Sequence, residues 1–502
     1  MDELKQGTRT EAVALSLANL DRLPAEIGRP SYDRAQLSPG IVHIGLGNFH
    51  RGHQAWYLHR LMQKGLAHDW AIIGAGVRAG DSRMRDRLLE QDCLTTLIEL
   101  DPSGRSAEVI GSMIDFVPVE DGNAPLIAVM SDPAIRIVSL TVTEGGYFLN
   151  AVGALDLSHP DIRHDIAHPD TPCTAFGAIV AALRNRRAAG HAPFTGQSCD
   201  NLQGNGDILR QTVVGLARAT DPELADWIHL NASFPNSMVD CIVPATGDAE
   251  LARARDFGVI DAVPVTHENF RQWVIEDDFC TGRPVWEQVG ATLTQDVHSY
   301  EAMKIRMLNA GHQVLANAGE ILSIPTIAAC MNDPQIAAFF RKVQTDEITP
   351  HVDAVPGMTP AAYLDLIAGR FANQEIHDTT RRVAFDGSSR HSGFVLPILR
   401  DGLDAGSEIS GLALTEALWA RMCFGTREDG TVIEPNDPIW SELVIAAQAA
   451  KVSPKTWLEQ SQIYGDLSAN QRFADTFGGW LSLIWAEGTR AALSAYLDGP
   501  PA

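Results

Sequence analysis

In the first third of the chain, short runs of apolar and β-branched residues alternate with stretches whose apolar positions recur at helical spacing. The apolar runs predict buried strands at residues 41–45, 70–77 and 135–142. The amphipathic stretches between them predict helices at about 52–64 and 81–90. Strands that alternate with helices in this way are typical of a parallel sheet with helices on both faces.

The later pattern predicts a second kind of domain. A helix that ends on Gly190, a strand-like segment at 194–201 and a helix near Gly206 continue the first pattern. Beyond about Gly290 the strand signals fade and long helical periodicities take over, including a helix start at Thr359-Pro360. Asp333-Pro334 predicts the start of another helix. We therefore predict an α/β fold with two domains, a Rossmann-type doubly wound domain at 1–290 and a mostly helical domain at 291–502.

Composition narrows the classes of partner. The 502 residues include 39 basic and 63 acidic side chains, which give a formal charge of −24. Nucleic acids and anionic membranes bind basic surfaces, so neither is an expected partner. The amino terminus lacks the apolar core of a signal peptide, and no apolar run approaches the ~18 residues of a membrane span. The sequence therefore predicts a cytoplasmic protein.

The metal-ligating residue types show no clustered pattern. The seven cysteines are scattered without a CxxC pair, and the histidines form no HExxH motif. His50 and His53 have a ligand-like spacing, but no further ligand accompanies them. We expect reduced thiols and no bound metal.

A glycine-rich turn follows the first predicted strand. Gly-x-Gly between a strand and a helix lets the backbone approach a pyrophosphate, which then lies at the positive end of the helix dipole. The motif is partial, because His50 stands where a third glycine is usual, and an incidental tight turn would give the same letters. The predicted cofactor-binding residues of this segment are Gly45, Gly47, Asn48, Phe49, His50 and Arg51.

The end of the second predicted strand does not settle which cofactor binds. Dinucleotide-binding domains usually carry an acid there that holds the adenosine ribose. Val77 and Arg78 occupy that place, and Asp81 follows slightly later as a further candidate for cofactor binding. The choice between NAD and NADP stays open at this point.

The segment KIRMLNAGH, residues 304–312, carries three polar side chains in a helical pattern. At about 100° per residue, Lys304, Asn309 and His312 share one face of a regular helix. This face could be solvated, or it could be an acid/base site, since a desolvated lysine can lose its proton near neutral pH. Only six of the 39 basic residues are lysines, so arginine is otherwise the usual choice of this chain.

Six motifs in a fixed order give the sequence a family resemblance, over a match that runs from about residue 20 almost to the end. The motifs are GLGNFHRGHQ (45–54), SLTVTEGGY (139–147), SCDN (198–201), FPNSMVD (234–240), WVIEDDF (273–279) and KIRMLNAGH (304–312). With these motifs the chain resembles the mannitol dehydrogenase family of polyol-specific long-chain dehydrogenases.

The resemblance implies a metal-independent enzyme with a lysine as general base. Lys304 matches that lysine, and Asn201 and Asn309 match the two asparagines that hydrogen-bond the reacting oxygen. His312 matches a residue that positions the substrate. Glu144 matches a glutamate that relays the proton of the lysine to solvent.

The resemblance also implies which residues bind the substrate. Asp240 matches a substrate-contacting acid, and Arg382 and Arg390, in a stretch that begins near Asp378, match basic side chains that reach substrate hydroxyls. Cys241 stands where many relatives have arginine, and Arg390 where some have lysine.

The implied activity is the NAD-dependent interconversion of a polyol and a ketose, with D-mannitol and D-fructose as the expected pair. Fructuronate or tagaturonate reduction and arabinitol or sorbitol oxidation are the alternatives within the family. A non-catalytic sugar or dinucleotide sensor is the alternative outside it. The oligomeric state stays open, although the family includes many monomers.

Overall fold

The computed structural model describes residues 12–150 and 153–499. The chain divides into two compact units, of which the first ends at His298 and the second begins at Ser299. Among the described helices, none combines the length and the apolar character needed to cross a membrane.

The strands all lie before residue 295 within the described ranges. They are β1 (Val13–Ala14), β2 (Pro39–Ile44), β3 (Ala71–Ala75), β4 (Thr95–Asp101), β5 (Gly104–Ile110), β6 (Met113–Phe116), β7 (Ile137–Leu140), β8 (Thr195–Ser198), β9 (Ser237–Asp240), β10 (Val259–Ile260), β11 (Val265–Glu268), β12 (Gln272–Glu276) and β13 (Thr292–Thr294).

The helices of the first unit are interleaved with these strands. They are α1 (Asn48–Gly52), α2 (Gln54–Gln63), α3 (Asp81–Leu89), α4 (Ala124–Ser131), α5 (Pro160–Ala167), α6 (Ala175–Ala189), α7 (Asn205–Thr220), α8 (Pro222–Asn231) and α9 (Asp248–Asp256).

Five parallel strands form the main sheet, in the order β6-β3-β2-β7-β8. The central strand β2 is buried on both faces, so Val42 and Ile44 enter one apolar core while Ile41 enters the other. From β2 the chain adds β3 and β6 on one side, and it then adds β7 and β8 on the other side of β2. This reversal creates a switch point between the carboxyl ends of β2 and β7, where ligands of such sheets bind.

Smaller sheets complete the first unit. β4 pairs antiparallel with β5 and parallel with β11, and β12 lies between β9 and β13. The predicted Rossmann-type sheet is confirmed. β3 and β7 are shorter than the predicted runs at 70–77 and 135–142, whereas β2 begins two residues before the predicted run at 41–45.

The helix predicted at about 52–64 corresponds to α2, Gln54–Gln63. A further short helix, α1, precedes it and was not predicted. The two helices are separated at His53 by a non-helical backbone conformation (φ −124°, ψ −88°). Because α1 has only five residues, the helix directly behind the glycine turn is short.

The second unit is helical, as predicted. Its α-helices are α10 (His298–Met303), α11 (Ala310–Ile321), α12 (Ile327–Asn332), α13 (Pro334–Val343), α14 (Pro360–Phe371), α15 (Thr380–Val383), α16 (Gly387–Arg390), α17 (Leu396–Asp404), α18 (Ser410–Met422), α19 (Trp440–Val452), α20 (Ser461–Tyr464), α21 (Gln471–Glu487) and α22 (Thr489–Asp498).

Two of these helices begin as the sequence predicts. The Asp333 carboxylate accepts hydrogen bonds from the N–H groups of Gln335 and Ile336, and the Thr359 hydroxyl accepts one from Ala362. A proline follows each cap, where its missing N–H costs nothing.

Three segments of the second unit are π-helical, namely Lys304–Asn309, Gln344–Ile348 and His391–Val395. Such wide turns with i→i+5 hydrogen bonds are rare and occur frequently at functional sites. The first and the third contain or adjoin residues that the sequence assigns to the site.

Candidate active site

The glycine turn lies at the switch point of the main sheet. Gly45 has φ +87°, and a Cβ there would lie 2.3 Å from the carbonyl oxygen of Thr141. At Gly47, by contrast, a Cβ would meet nothing nearer than 3.9 Å. The first glycine is therefore required by the fold, and the second leaves open backbone where a phosphate group of a dinucleotide fits.

Asn48 and Arg51 fix the turn from inside. The Asn48 amide donates to the carbonyl of Pro244 (2.9 Å) and the hydroxyl of Thr246 (2.8 Å). The buried Arg51 guanidinium donates to Asn48 Oδ1 (2.7 Å) and to the carbonyl of Val263. Burial lowers the pKa of Arg51 to about 10. Both side chains thus brace the turn against neighbouring segments, while Gly47 keeps the outer side open.

Two stacked histidines lie beneath the turn. The rings of His43 and His50 are 3.4 Å apart and inclined by 16°. His43 Nε2 lies 2.8 Å from the hydroxyl of Thr141, which itself donates to the Gly45 carbonyl (2.8 Å). That hydroxyl must accept from His43, so Nε2 carries the proton and Nδ1 accepts from Ser139 at 2.8 Å. Burial lowers the pKa of both histidines, that of His43 to about 3, so both rings are neutral.

The other predicted cofactor residues surround the turn. Phe49 stacks on His53 with ring centroids 4.9 Å apart. Asp81 begins α3, and its carboxylate accepts the backbone N–H of Arg78 at 3.0 Å. A Cβ at Gly76 would lie 2.3 Å from Cβ of Asp81, so the strand end and α3 are tightly fitted. Asp81 and the exposed Arg78 thus lie together after the end of β3.

Asp200 is a residue that the sequence analysis missed. Its carboxylate accepts the backbone N–H groups of Val142 (3.1 Å) and Thr143 (2.8 Å) and the hydroxyl of Tyr147 (2.8 Å). It therefore ties the loop after β7 to the loop after β8. Its place inside the SCDN motif, next to Asn201, was the signal that could have identified it.

The loop held by Asp200 contains the predicted proton relay. Thr143 has φ +68°, a strained conformation for a β-branched residue, and Glu144 begins the short 3₁₀ helix Glu144–Tyr147. The side chain of Glu144 lies outside the described part of the structure, so its predicted role stays a prediction.

Asn201 and Asp240 follow the ends of two strands of the first unit. Asn201 is exposed in the loop after β8, and Asp240 is the buried last residue of β9. Asn205 joins the two segments, because its amide donates to the carbonyls of Asp200 (2.9 Å) and Ser237 (2.8 Å). Cys241, next to Asp240, is half-buried.

The regular helix predicted for residues 304–312 is wrong over its first six residues. Lys304–Asn309 is π-helical, and Ala310 N–H bonds to the carbonyl of Ile305, five residues earlier. In such a turn residues i and i+5 lie one above the other, as i and i+4 do in an α-helix. The wide turn therefore places the buried Lys304 and the half-buried Asn309 on the same face more directly than an α-helix would.

His312 follows three residues later, in α11. Its ring stacks on Phe371 of α14 with centroids 4.2 Å apart, and its buried Nε2 has no hydrogen-bond partner among the described residues. Burial lowers its pKa to about 4, Asp378 acts in the opposite direction, and Arg382 and two other arginines lower it further. A neutral His312 presents one ring donor and one ring acceptor.

The predicted basic side chains lie in the electrostatic neighbourhood of His312. Arg382 is exposed and forms a two-pronged ion pair with the buried Asp378, with both N–O distances 2.7 Å. Arg390 donates to the carbonyl of Val383 at 2.6 Å. Both arginines act on the charge state of His312. Within the second unit, the structure thus brings together Lys304–Asn309, His312 and these arginines.

A buried network supports the segment behind Arg390. His391 Nδ1 lies 2.7 Å from Glu416 Oε1, and its Nε2 lies 3.0 Å from the Asn317 amide nitrogen, which also donates to the Gln313 carbonyl. That second bond fixes the orientation of the Asn317 amide. His391 Nε2 is therefore the acceptor, and the proton resides on Nδ1 and is donated to Glu416. The network joins α11, which carries His312, to the π segment that follows Arg390.

One group of metal-ligating residue types lies together in the described residues, namely His164, Asp165 and Cys173. The Asp165 oxygens already accept the backbone N–H groups of Cys173 (2.7 Å) and Thr174 (3.2 Å) at the start of α6. These hydrogen bonds give Asp165 a structural role, because they hold Thr174, the residue that caps α6. None of the three residues belongs to the predicted site.

Comparisons with known proteins match the chain over both units. Residues 39–288 match the family model of the mannitol dehydrogenase Rossmann domain, and residues 296–485 match that of the mannitol dehydrogenase C-terminal domain. A mannitol 2-dehydrogenase from Cereibacter sphaeroides is 56% identical over 471 residues, which are 94% of this chain and 99% of that protein.

Two solved structures are similar over almost the whole chain. The Pseudomonas fluorescens mannitol 2-dehydrogenase, in a ternary complex with NAD and D-mannitol, matches with a TM-score of 0.87 and 39% identity, covering 97% of this chain and 100% of that one. A D-sorbitol dehydrogenase in substrate-free form matches with a TM-score of 0.88 and 34% identity, covering 95% of this chain and 100% of that one.

Proposed function

The chain belongs to the mannitol dehydrogenase family, and on this premise we propose that it is an NAD-dependent polyol dehydrogenase that interconverts D-mannitol and D-fructose. The observation that carries the proposal is the π-helical turn that sets the buried Lys304 and Asn309 on one face, with His312 three residues further on. A desolvated amine beside an amide and a neutral imidazole suits the removal of a proton from a substrate hydroxyl.

In the proposed oxidation, the neutral amine of Lys304 takes the proton of the reacting hydroxyl group. The amide of Asn309 donates to that oxygen and stabilises the negative charge that develops on it, and the family resemblance gives the same role to Asn201. A bound nicotinamide supplies the acceptor for the hydride that leaves the carbon. In the direction of reduction, protonated Lys304 returns its proton to the oxygen, so the proton is accounted for in both directions.

The dinucleotide is proposed to bind at the switch point of the main sheet. The open backbone at Gly47, the positive φ of Gly45 and the braced Asn48 and Arg51 form the phosphate turn. Phe49 and His50 shape it from within, and Asp81, at the start of α3, is the acid proposed to reach the adenosine ribose. Asp81 favours NAD, because a ribose hydroxyl can donate to its carboxylate while a 2′-phosphate would be repelled.

The substrate is proposed to be bound by the basic side chains of the second unit, and the family resemblance assigns a substrate contact to Asp240 as well. His312 and Arg390 offer donors to the hydroxyl groups of a polyol, and Asp378 orients Arg382 through its two-pronged ion pair. Glu144 passes the proton of Lys304 to solvent in this scheme. The reaction uses protein groups and cofactor alone, without a metal ion.

A second substrate is favoured by one observation, the similarity to a D-sorbitol dehydrogenase at a TM-score of 0.88. The decisive experiment is a panel of steady-state rates for mannitol, sorbitol, arabinitol, fructuronate and tagaturonate with NAD and with NADP. Mannitol and NAD are expected to give the highest kcat/KM. A higher kcat/KM for sorbitol or a hexuronate would replace the proposed substrate, and unchanged rates after exhaustive chelation are expected throughout.

A further inference from the structure

A small internal cavity lies beneath the phosphate turn, between the main sheet and α2. Six polar side chains line it. The Ser139 hydroxyl of β7 is already paired with His43, and the other five are His50 of α1, Gln54 of α2, Gln197 of β8, Trp273 of β12 and Trp286. The remaining walls are largely apolar, and the space has room for about one water molecule.

The five polar side chains share an unusual property. None is more than 5% exposed, and each has side-chain atoms without a hydrogen-bond partner among the protein groups that the structure describes. These atoms are both ring nitrogens of His50, both amide atoms of Gln54, Nε2 of Gln197 and the two indole nitrogens; His50 and Gln54 interact weakly with each other. Buried polar groups are almost always paired with protein or with ordered water. Such a concentration around one cavity therefore points to a ligand.

A single water molecule can pair four of these atoms, two donors and two acceptors. The indole groups of Trp273 and Trp286 can only donate, and the two lone pairs of water accept both. Neutral His50 and the Gln54 carbonyl provide acceptors for the two protons of water. We infer that the cavity is a specific binding site for one buried water molecule held by Trp273, Trp286, His50 and Gln54.

Other occupants fit these groups less well. An anion would use the donors but leave the acceptors of His50 and Gln54 unpaired, and no lysine or arginine lines the cavity to compensate its charge. An apolar molecule would leave every one of these groups unpaired. Among these occupants, only a small molecule that both donates and accepts can pair with Trp273, Trp286, His50 and Gln54 at the same time.

The position of the site connects it to the phosphate turn. His50 stacks on His43, which bonds to Thr141, which donates to the carbonyl of Gly45. A water bound to His50 would fix the orientation of that ring and join α1 and α2 to β12. The inference concerns the N-terminal unit alone, and it holds whichever polyol the enzyme prefers.

A high-resolution crystal structure of the enzyme with NAD bound tests the inference directly. The expected result is one fully ordered water within hydrogen-bond distance of both indole nitrogens. An empty cavity would overturn the inference. An anomalous peak in the cavity after a bromide soak would overturn it in favour of an anion.

A stability measurement tests the inference independently, because a cavity with water and a cavity without it predict opposite changes in Tm when a polar lining residue is replaced. Gln54→Met keeps the volume but removes a partner of the water, so Tm is expected to fall by about 2–4 °C. If the cavity is dry, the same change removes an unpaired buried amide, and Tm would rise or stay constant, which contradicts the inference. Leu58→Met, a change in the apolar lining, is the matched control and is expected to leave the water in place.

Discussion

The imidazole of His312 lies nearly flat on the phenyl ring of Phe371, with the ring centroids 4.2 Å apart and the planes inclined by 23°. The stack covers one face of the histidine with apolar surface, and burial lowers its pKa to about 4. A ring in this environment is a neutral hydrogen-bonding group at physiological pH. Its contribution to the proposed reaction is therefore the positioning of substrate, whereas the proton is taken by Lys304.

We predict that His312→Ala lowers kcat/KM for mannitol by about tenfold or more, equivalent to at least about 1.4 kcal/mol of transition-state stabilisation. Because the ring is neutral above pH 5, the shape of the pH profile between pH 5.5 and 8 should be the same in both proteins. Steady-state rates across this range check both points. An inflection near pH 6.5 that is present only in the unchanged enzyme would contradict the prediction.

Buried histidines make the N-terminal unit sensitive to acid. Burial lowers the pKa of His43, His59 and His267 to about 3 each, while unfolding returns them to about 6.5. Below pH 6.5 the unfolded chain therefore binds more protons than the folded one. The free energy of unfolding should fall as pH falls from 6.5 towards 3, by up to about 1.4 kcal/mol per pH unit for each histidine.

Urea unfolding at a series of pH values measures this dependence. His59→Gln removes one of the titrating groups, so the variant should show a shallower decline in the same pH range. A free energy of unfolding that stays constant between pH 6.5 and 4 would contradict the account of these histidines.

The two glycines of the phosphate turn should respond differently to alanine. Gly45→Ala combines a positive φ with a methyl group 2.3 Å from the Thr141 carbonyl, so it should destabilise the fold by at least about 1–3 kcal/mol. Gly47→Ala has space in the protein but places a methyl group where the phosphate is proposed to bind. It should fold normally and bind NADH about tenfold more weakly, or about 1.4 kcal/mol.

Thermal unfolding and NADH fluorescence titration separate these effects. The Gly47→Ala protein serves as the folded control for the Gly45→Ala protein. Unchanged NADH affinity in Gly47→Ala would show that the phosphate groups do not approach this part of the turn.

Local sequence patterns were sufficient to predict four of the five strands of the main sheet, all except β6. Buried strands such as β2 and β7 carry continuous apolar runs, and helix caps such as Asp333 act through neighbours in sequence, so both leave signals in short windows. The family resemblance, confirmed by both domain models, rested on six such windows in order.

Features that depend on distant contacts could not be predicted in this way. Arg51 was predicted to bind the cofactor. Its guanidinium instead donates a hydrogen bond to the Val263 carbonyl, more than 200 residues away in sequence. Asp200 acts through Val142 and Thr143, some 57 residues earlier. The apolar residues around Lys304 are spaced as in an ordinary α-helix. Only the backbone hydrogen bonds distinguish the π-helical turn from an α-helix.

The His391–Glu416 pair should be essential to the second unit. Glu416 also accepts the hydroxyl of Tyr464 at 2.8 Å, so Glu416→Leu leaves two buried donors unpaired and should cost about 3–5 kcal/mol. Glu416→Gln keeps an acceptor for His391 and, since a hydroxyl can also accept from an amide, should be much milder. Urea unfolding of both variants compares them, and equal losses would contradict the assigned tautomer of His391.

The proposed general base is tested most directly by mannitol oxidation in Lys304→Ala. Removal of the amine should lower kcat by about 10²–10⁴-fold, the usual contribution of a positioned base, while the Kd for NADH changes little. Lys342→Ala is the matched control, since Lys342 is a partly exposed lysine of the same unit that pairs with Asp346 at 2.9 Å. Turnover by Lys304→Ala at a rate close to that of the Lys342→Ala control would contradict the proposed mechanism.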